Sequence, residues 1–324
     1  MAASFHSSLA LRLNANTLRF ESVPIEKLAW SINDIGTLYG AILVERFRTF
    51  GGRLINLEDR IDRLFSSARL LGIQSKSIAE QYGTICQQLL DVNRKLVEES
   101  GDVGVVTLLS PGEPKEGASG QSPTCMLHLS PIPFEKLARW YKLGTSLRTG
   151  SQSVVPGECW PTQIKTRSRL PYFLSDSKVE VIESESLAVL RTVRGRVADT
   201  SVANILVVDQ DGRIMSPCRD DILLGCTLRQ TERLLASMGK TIEYCDLLEL
   251  DLADAREVIL TGSGGIVWRA SSFNGNAINN GLTGEIALML TDLWKAYAGI
   301  DFIEQANKYS GLSQVVGSQS SLPQ

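Results

Sequence analysis

An amine set among guanidinium groups is the feature of this sequence best suited to chemistry. The stretch QIKTRSRLPYF, beginning at Gln163, carries Lys165, Arg167 and Arg169, with Lys178 a little further on. Three readings suit it: a solvated basic face, an anion-binding or nucleic-acid patch, or a reactive lysine. Desolvation beside other cations moves a lysine toward its neutral, nucleophilic form, whereas a guanidinium stays protonated. Two further segments are suited to a phosphate. LLGCTLRQ brings Gly225, Cys226 and Thr227 to a helix start, where backbone N–H groups and a hydroxyl point at one spot. LTGSGG offers two hydroxyls, Thr261 and Ser263, on a backbone that Gly262 and Gly264 open to close approach. VADTSVANILVV places Asp199 and Asn204 on either side of small residues. Taken singly, each has a plain structural reading. A Gly-Ser-Gly run is commonly only a turn, and Asp199 suits a hairpin-end acid capping backbone donors. Arg63, in DRIDRLFSS, suits an exposed helix charge paired with Glu58 or Asp59.

Composition narrows these readings. The chain has 324 residues, enough for two domains or one large one. Its hydrophobic share of 43% and charged share of 21% are ordinary for a soluble globular protein. A formal net charge of −3 gives no global field to recruit nucleic acid, so no nucleic-acid partner is expected. Six cysteines lie far apart without a C-x-x-C pair, beside only two histidines. A zinc site or disulfide scaffold does not fit that spacing, so no metal is expected and a reducing compartment suits the chain. Nothing approaches an apolar run long enough to cross a bilayer, and no membrane partner is expected. The opening MAASFHSSLALRLNANTLRF has arginines and no acid before Glu21, as a transit peptide would, but Arg12 breaks its apolar run. The expected location is cytoplasmic.

The elements that must position these residues are partly visible. NLEDRIDRLFSSARLLGI predicts a helix with Leu57, Ile61, Leu64, Ala68 and Leu71 on one face, Asn56 as cap and Gly72 as stop. A second helix is expected from Ser77 to Glu99, and strands at Val103–Leu109, Met126–Leu129 and Leu143–Thr149. SPGEPKEGASGQSP reads as a mobile loop. Hairpin turns are expected at Arg194-Gly195 and Asp211-Gly212, then a helix over TLRQTERLLASMG and a closing helix over GLTGEIALMLTDLWKAY. The domain reading is a small N-terminal α/β domain over 1–150, a linker over 151–160, and a larger domain over 161–310. A disordered tail over 311–324 completes it. The fold class is α/β (α+β), the second domain being built on a largely antiparallel, hairpin-rich sheet.

Five of these segments in order carry a resemblance: DRIDRL, QIKTRSRL, VADTSVANILVV, the GCT helix start and the TGSGG turn. Together they resemble the class IV aminotransferases, pyridoxal-phosphate enzymes of fold type IV. That family includes branched-chain and D-amino-acid transaminases and aminodeoxychorismate lyases. The resemblance runs from NDIGTLYG to the closing helix. It implies that Lys165 forms the Schiff base with pyridoxal 5′-phosphate and moves a proton at the substrate Cα. It implies that Asp199 pairs with the pyridine nitrogen and keeps the ring an electron sink. Arg63 then matches a phosphate clamp, Cys226 and Thr227 the helix start at the phosphate, and Gly262, Ser263 and Gly264 the other phosphate loop. Asn204 is counted with the cofactor-binding residues.

The resemblance has departures. The family usually has Glu where Asp199 stands, and Ile where Cys226 stands. Branched-chain members usually carry Tyr five residues after the lysine; this chain has Leu170 there, as D-amino-acid transaminases and the lyases do. Many members hold a substrate carboxylate with an Arg in the strand before the mobile loop. Here that strand has none, and Lys115 is the cation nearby. Backbone, Tyr39, Arg46, Arg48 or a partner chain remain as holders, with Tyr39 and Arg48 counted as substrate-binding candidates. The implied function is transfer of an amino group between an amino acid and a 2-oxo acid. The alternatives are a lyase releasing pyruvate, a pyridoxal-phosphate-binding paralogue without turnover, and a basic-patch binding module. The family also implies a homodimer.

Overall fold

A computed structural model of the chain describes residues 4–114 and 122–311. Lys115, part of the expected mobile loop, and the tail from residue 312 lie outside the described residues. The chain divides into two units. The first runs to Ile132 and also takes in Ile164–Ser168; the second comprises Pro133–Gln163 and resumes at Arg169. The division at Ile132 falls ahead of the Pro/Gly/Ser-rich stretch at 151–160.

The first unit has a sheet in the order β2-β1-β5-β4-β3, each pair antiparallel. Its strands are β1 (Leu9–Leu13), β2 (Phe20–Pro24), β3 (Leu43–Arg48), β4 (Gly104–Ser110) and β5 (Thr124–Ser130). A short α1 (Ile35–Tyr39) precedes β3; α2 (Leu57–Leu70), α3 (Lys76–Val92) and α4 (Arg94–Ser100) lie between β3 and β4. Side chains alternate between the faces of a strand. Leu11, Leu43, Phe47, Val105, Leu109 and Leu127 therefore share the face that joins Leu64, Ala68, Tyr82 and Leu89 in one buried core. α2 starts and stops where its pattern places it, although Asn56 makes no side-chain capping bond. The helix expected over 77–99 is two helices. Asn93 breaks it, because its amide donates to Leu9 O (2.8 Å) and accepts from Leu9 N (2.8 Å), satisfying β1 instead of continuing the helix.

The second unit has strands β6 (Thr145–Ser153), β7 (Leu187–Arg191), β8 (Asn204–Val208), β9 (Ile214–Pro217), β10 (Ile242–Cys245), β11 (Glu257–Gly262), β12 (Ile266–Phe273) and β13 (Asn276–Ala277). They run in the order β10-β9-β8-β11-β12-β6-β7, with β13 beside β12. The hairpin β8–β9 forms as expected, turning at Gly212 with φ +81°; around the expected Arg194-Gly195 turn the chain closes with one bridge, Arg191 to Val197, and β11 and β12 pair antiparallel as well. The sheet is mixed, however. β9–β10, β12–β6 and β6–β7 are parallel. The reason is the connections: α6 (Leu170–Ile182) carries the chain from β6 to β7, and α7 (Cys226–Ser237) from β9 to β10. A helical crossover permits a parallel neighbour where a hairpin cannot. Pro171 stands in the first turn of α6, where its missing N–H costs nothing. α5 (Phe134–Leu143) and α8 (Glu249–Ala253) complete the middle of the unit. α9 (Glu285–Ala298) and α10 (Phe302–Tyr309) close it. Buried Glu257 of β11 accepts from Ile286 N (3.0 Å) and Ala287 N (2.9 Å), capping α9. Among the described residues no helix is long and apolar enough to cross a membrane.

Candidate active site

Lys165 sits on a short extended segment attached to β3. Val44 N donates to Lys165 O (3.0 Å), Arg167 N donates to Ile42 O (2.8 Å), and Leu43 pairs antiparallel with Thr166. Ile164 enters the first unit's core. Alternation then turns Ile164 and Thr166 toward the helices, and Lys165 and Arg167 to the opposite face of the sheet. The Ser168 hydroxyl donates to Gly40 O (2.8 Å) and ties the end of the segment to the chain that follows α1. Gly40 has φ +70°, and a Cβ there would stand 2.6 Å from Ser168 Oγ, so glycine is required for this approach.

Arg63 of α2 is buried and forks onto Glu45 of β3, with Nε 3.0 Å from Oε2 and Nη2 2.7 Å from Oε1. Arg60 Nη1 adds a bond of 3.1 Å to Oε1 and lies over the Phe47 ring at 4.9 Å. Burial works to raise the Glu45 pKa. The charges of Arg63 and Arg60 outweigh it, Lys165 adds to them, and the carboxyl is held below its ordinary value. Arg63 and Lys165 thus both act on one buried acid. That acid was missed from the sequence, where only helix neighbours Glu58 and Asp59 were in view.

The other expected residues gather in the second unit. Asp199 is buried, and Tyr172 of α6 donates its hydroxyl to Asp199 Oδ1 at 2.8 Å. Arg169 lies over the Tyr172 ring at 4.3 Å and donates to Ser201 O. Desolvation, and then the Asp199 charge, push the Tyr172 phenol well above its ordinary pKa, so it remains an O–H donor. Tyr172 was not foreseen; the one available signal was a phenol directly after Pro171.

Asn204 opens β8 and is paired across the ladder with Thr261 of β11. Its amide accepts from Gly225 N (3.1 Å) and donates to Leu223 O (2.8 Å), which holds the loop entering α7. A Cβ on Gly225 would meet Asn204 Oδ1 at 2.4 Å, and one on Gly262 would meet Val202 O at 2.3 Å. Both glycines are there because neighbouring atoms occupy the space. Strand register therefore brings the start of α7, with Cys226 and Thr227 buried, beside the turn after β11 with Gly262, Ser263 and Gly264. The Thr261 hydroxyl is buried and has no hydrogen-bond partner among the described residues.

The substrate candidates separate. Tyr39 is 80% exposed at the end of α1. Arg48 is 2% exposed, pairs with Asp102 at 3.4 Å and lies over Phe50 at 5.0 Å. Its guanidinium is engaged in packing the end of β3, which leaves it poorly placed to receive a substrate.

A sequence model of the family described as amino-transferase class IV matches residues 42–273. The chain belongs to the class IV aminotransferases. This class IV chain is similar to the D-alanine aminotransferase of Bacillus licheniformis, 23% identical over 259 residues, which cover 80% of this chain and 88% of that one. Its fold matches the solved branched-chain amino acid aminotransferase of Escherichia coli, with TM-score 0.78 and 17% identity over 90% of this chain and 94% of that one. It also matches the 4-amino-4-deoxychorismate lyase of Pseudomonas aeruginosa, with TM-score 0.69 and 22% identity over 83% and 95%. The fold is the two-domain fold type IV arrangement. Pyridoxal 5′-phosphate is the cofactor of this family. The second unit's residues suit that molecule: helix-start N–H groups and an unpartnered buried hydroxyl for a phosphate, and a buried carboxylate for a ring nitrogen.

Proposed function

We propose that this class IV protein is an aminotransferase that moves an amino group between an amino acid and a 2-oxo acid. The observation that carries the reading is the second unit's donor set, in which α7's start, the Gly262–Gly264 turn and the Tyr172-supported Asp199 suit the handles of one cofactor. When bound, that cofactor supplies an electron-withdrawing ring. Lys165 would hold it through its amine and would carry the proton at the substrate Cα. Asp199 keeps a negative charge for the ring nitrogen, and Tyr172 orients it. The N–H groups at Cys226 and Thr227 and the donors at Thr261 and Ser263 would take the phosphate. Tyr172 also bears on the paralogue without turnover: Asp199 is one methylene shorter than the usual Glu, and the phenol fixes its position. The same reading takes the protein to be a cytoplasmic homodimer.

The test is the visible spectrum of the purified protein with added pyridoxal 5′-phosphate, before and after borohydride, beside a Lys165→Ala variant. The expected result is a cofactor band that borohydride fixes covalently at Lys165 and that the variant lacks. Absence of labelling in the wild type sinks the reading of Lys165. Double turnover with 2-oxoglutarate then supports transamination, and release of pyruvate from aminodeoxychorismate establishes the lyase instead.

A further inference from the structure

The second unit holds a cavity of about 450 Å³ whose lining includes none of the residues assigned above to the cofactor. That volume is of the size that takes a small molecule. Three segments wall it: the loop 154–163, the hairpin turn 192–196, and the short helical turn Arg219–Asp221. Each is held by bonds of the fold itself. Val154 N donates to Arg191 O (2.9 Å), which joins the loop to the end of β7. In the hairpin turn, Thr192 Oγ1 accepts from Arg194 N (3.3 Å) and Arg196 N (3.2 Å), and Gly195 makes the reversal with φ +80°. Arg196 forks onto Asp221, with Nε 2.9 Å from Oδ2 and Nη2 2.9 Å from Oδ1, and so ties the hairpin to the helical turn. The loop closes on the same turn at Gly157, where a Cβ would stand 3.9 Å from Asp220 O. Walls fixed in this way leave little ordering to be done on binding.

Five charged side chains line the cavity, and two of them neutralise each other. Arg196 and Asp221 form that pair, with Asp246 a further 3.4 Å from Arg196 Nε. The charged groups of Arg194, Glu158 and Asp220 have no hydrogen-bond or ion-pair partner among the described residues. The unpaired charge is thus one cation against two anions. A simple anion would meet two carboxylates, and a simple amine would leave Arg194 facing a like charge. A ligand with one carboxylate and two ammonium groups answers all three. Val154, Val155, Pro156, Pro161 and Val193 make the rest of the lining largely apolar, which suits the methylene chain of such a molecule.

We propose that this cavity binds a basic amino acid of the lysine or ornithine kind, with its carboxylate on Arg194 and its ammonium groups on Glu158 and Asp220. The site takes no part in the amino-group transfer proposed above and does not rest on it.

The test is calorimetric titration of the borohydride-treated protein, since a cofactor reduced onto a lysine cannot exchange amines with the titrant. Lysine binds at least about tenfold more tightly than norleucine, which lacks the second ammonium group, and than cadaverine, which lacks the carboxylate. Arg194→Met removes the advantage over cadaverine, and Glu158→Gln and Asp220→Asn each remove the advantage over norleucine. All three side chains are exposed, so the variants melt with the wild type. Absence of lysine binding, equal binding of the three compounds, or a lysine affinity untouched in all three variants overturns the proposal. Borohydride labelling at Lys165, scored on the same samples, identifies a failure of the cofactor reading independently: the label is then missing while the preference for lysine stands or falls by itself.

Discussion

Each unit buries one carboxylate that matters, and the two are held in opposite ways. Glu45 in the first unit is gripped by two guanidiniums, with the fork of Arg63 at 2.7–3.0 Å and Arg60 at 3.1 Å. Asp199 in the second unit receives a phenol at 2.8 Å. A guanidinium neutralises the acid it binds, whereas a phenol orients an acid and leaves its charge in place. The first arrangement suits a fixed part of the scaffold, which here sets the direction of Arg63. The second suits an acid whose charge is to be used on something else. The difference between a carboxylate built into the scaffold and one suited to the proposed chemistry is carried by the partner, and not by the acid.

The largest expected effect tests the scaffold half. Glu45→Gln removes the buried carboxylate that Arg60 and Arg63 share and lowers stability by about 3–5 kcal/mol, read from urea unfolding. A loss below about 1 kcal/mol would show that the acid is not the anchor. Asp199→Asn does the reverse. Turnover falls by roughly 10²–10³-fold while the unfolding midpoint stays close to wild type. A variant with full activity removes Asp199 from the proposed chemistry. Tyr172→Phe lies between them, with an expected loss of about tenfold in turnover, near 1.4 kcal/mol, and retained covalent labelling at Lys165.

The smallest effect is a pH dependence. The folded Glu45 pKa lies below the 4.5 of the free side chain. Its contribution is therefore complete above that value and is lost as pH falls through the folded one. Wild type should lose stability on acidification below about pH 4.5 more steeply than Glu45→Gln, and parallel curves would dissociate Glu45 from acid unfolding.

Much of the local structure was legible. The apolar stripe of α2, the turn at Gly212 and the helix start at Cys226 are each written within a few residues, because helix period, positive φ and N-terminal donors are short-range properties. The choice of Lys165 as the candidate amine is local in the same way, since an amine differs from a guanidinium wherever the chain places it. The helix over 77–99 shows the limit. Its periodicity is continuous, yet Asn93 leaves the helix to bond Leu9, far away in sequence.

By itself, then, the sequence determined the order of the motifs, the candidate amine and the elements with a clear period. Partner choice was left to the tertiary structure. Strand register set Asn204 against Thr261 and so joined two phosphate-suited segments; α6 brought Tyr172 to Asp199; β3 brought Glu45 to Arg63 and left Arg46 on the opposite face with Lys165. The parallel strands of the second sheet were decided the same way, by where the crossover helices returned the chain. In each case the deciding contact joins residues that are distant in sequence, and no local pattern of propensity or period records which of the available partners will be opposite.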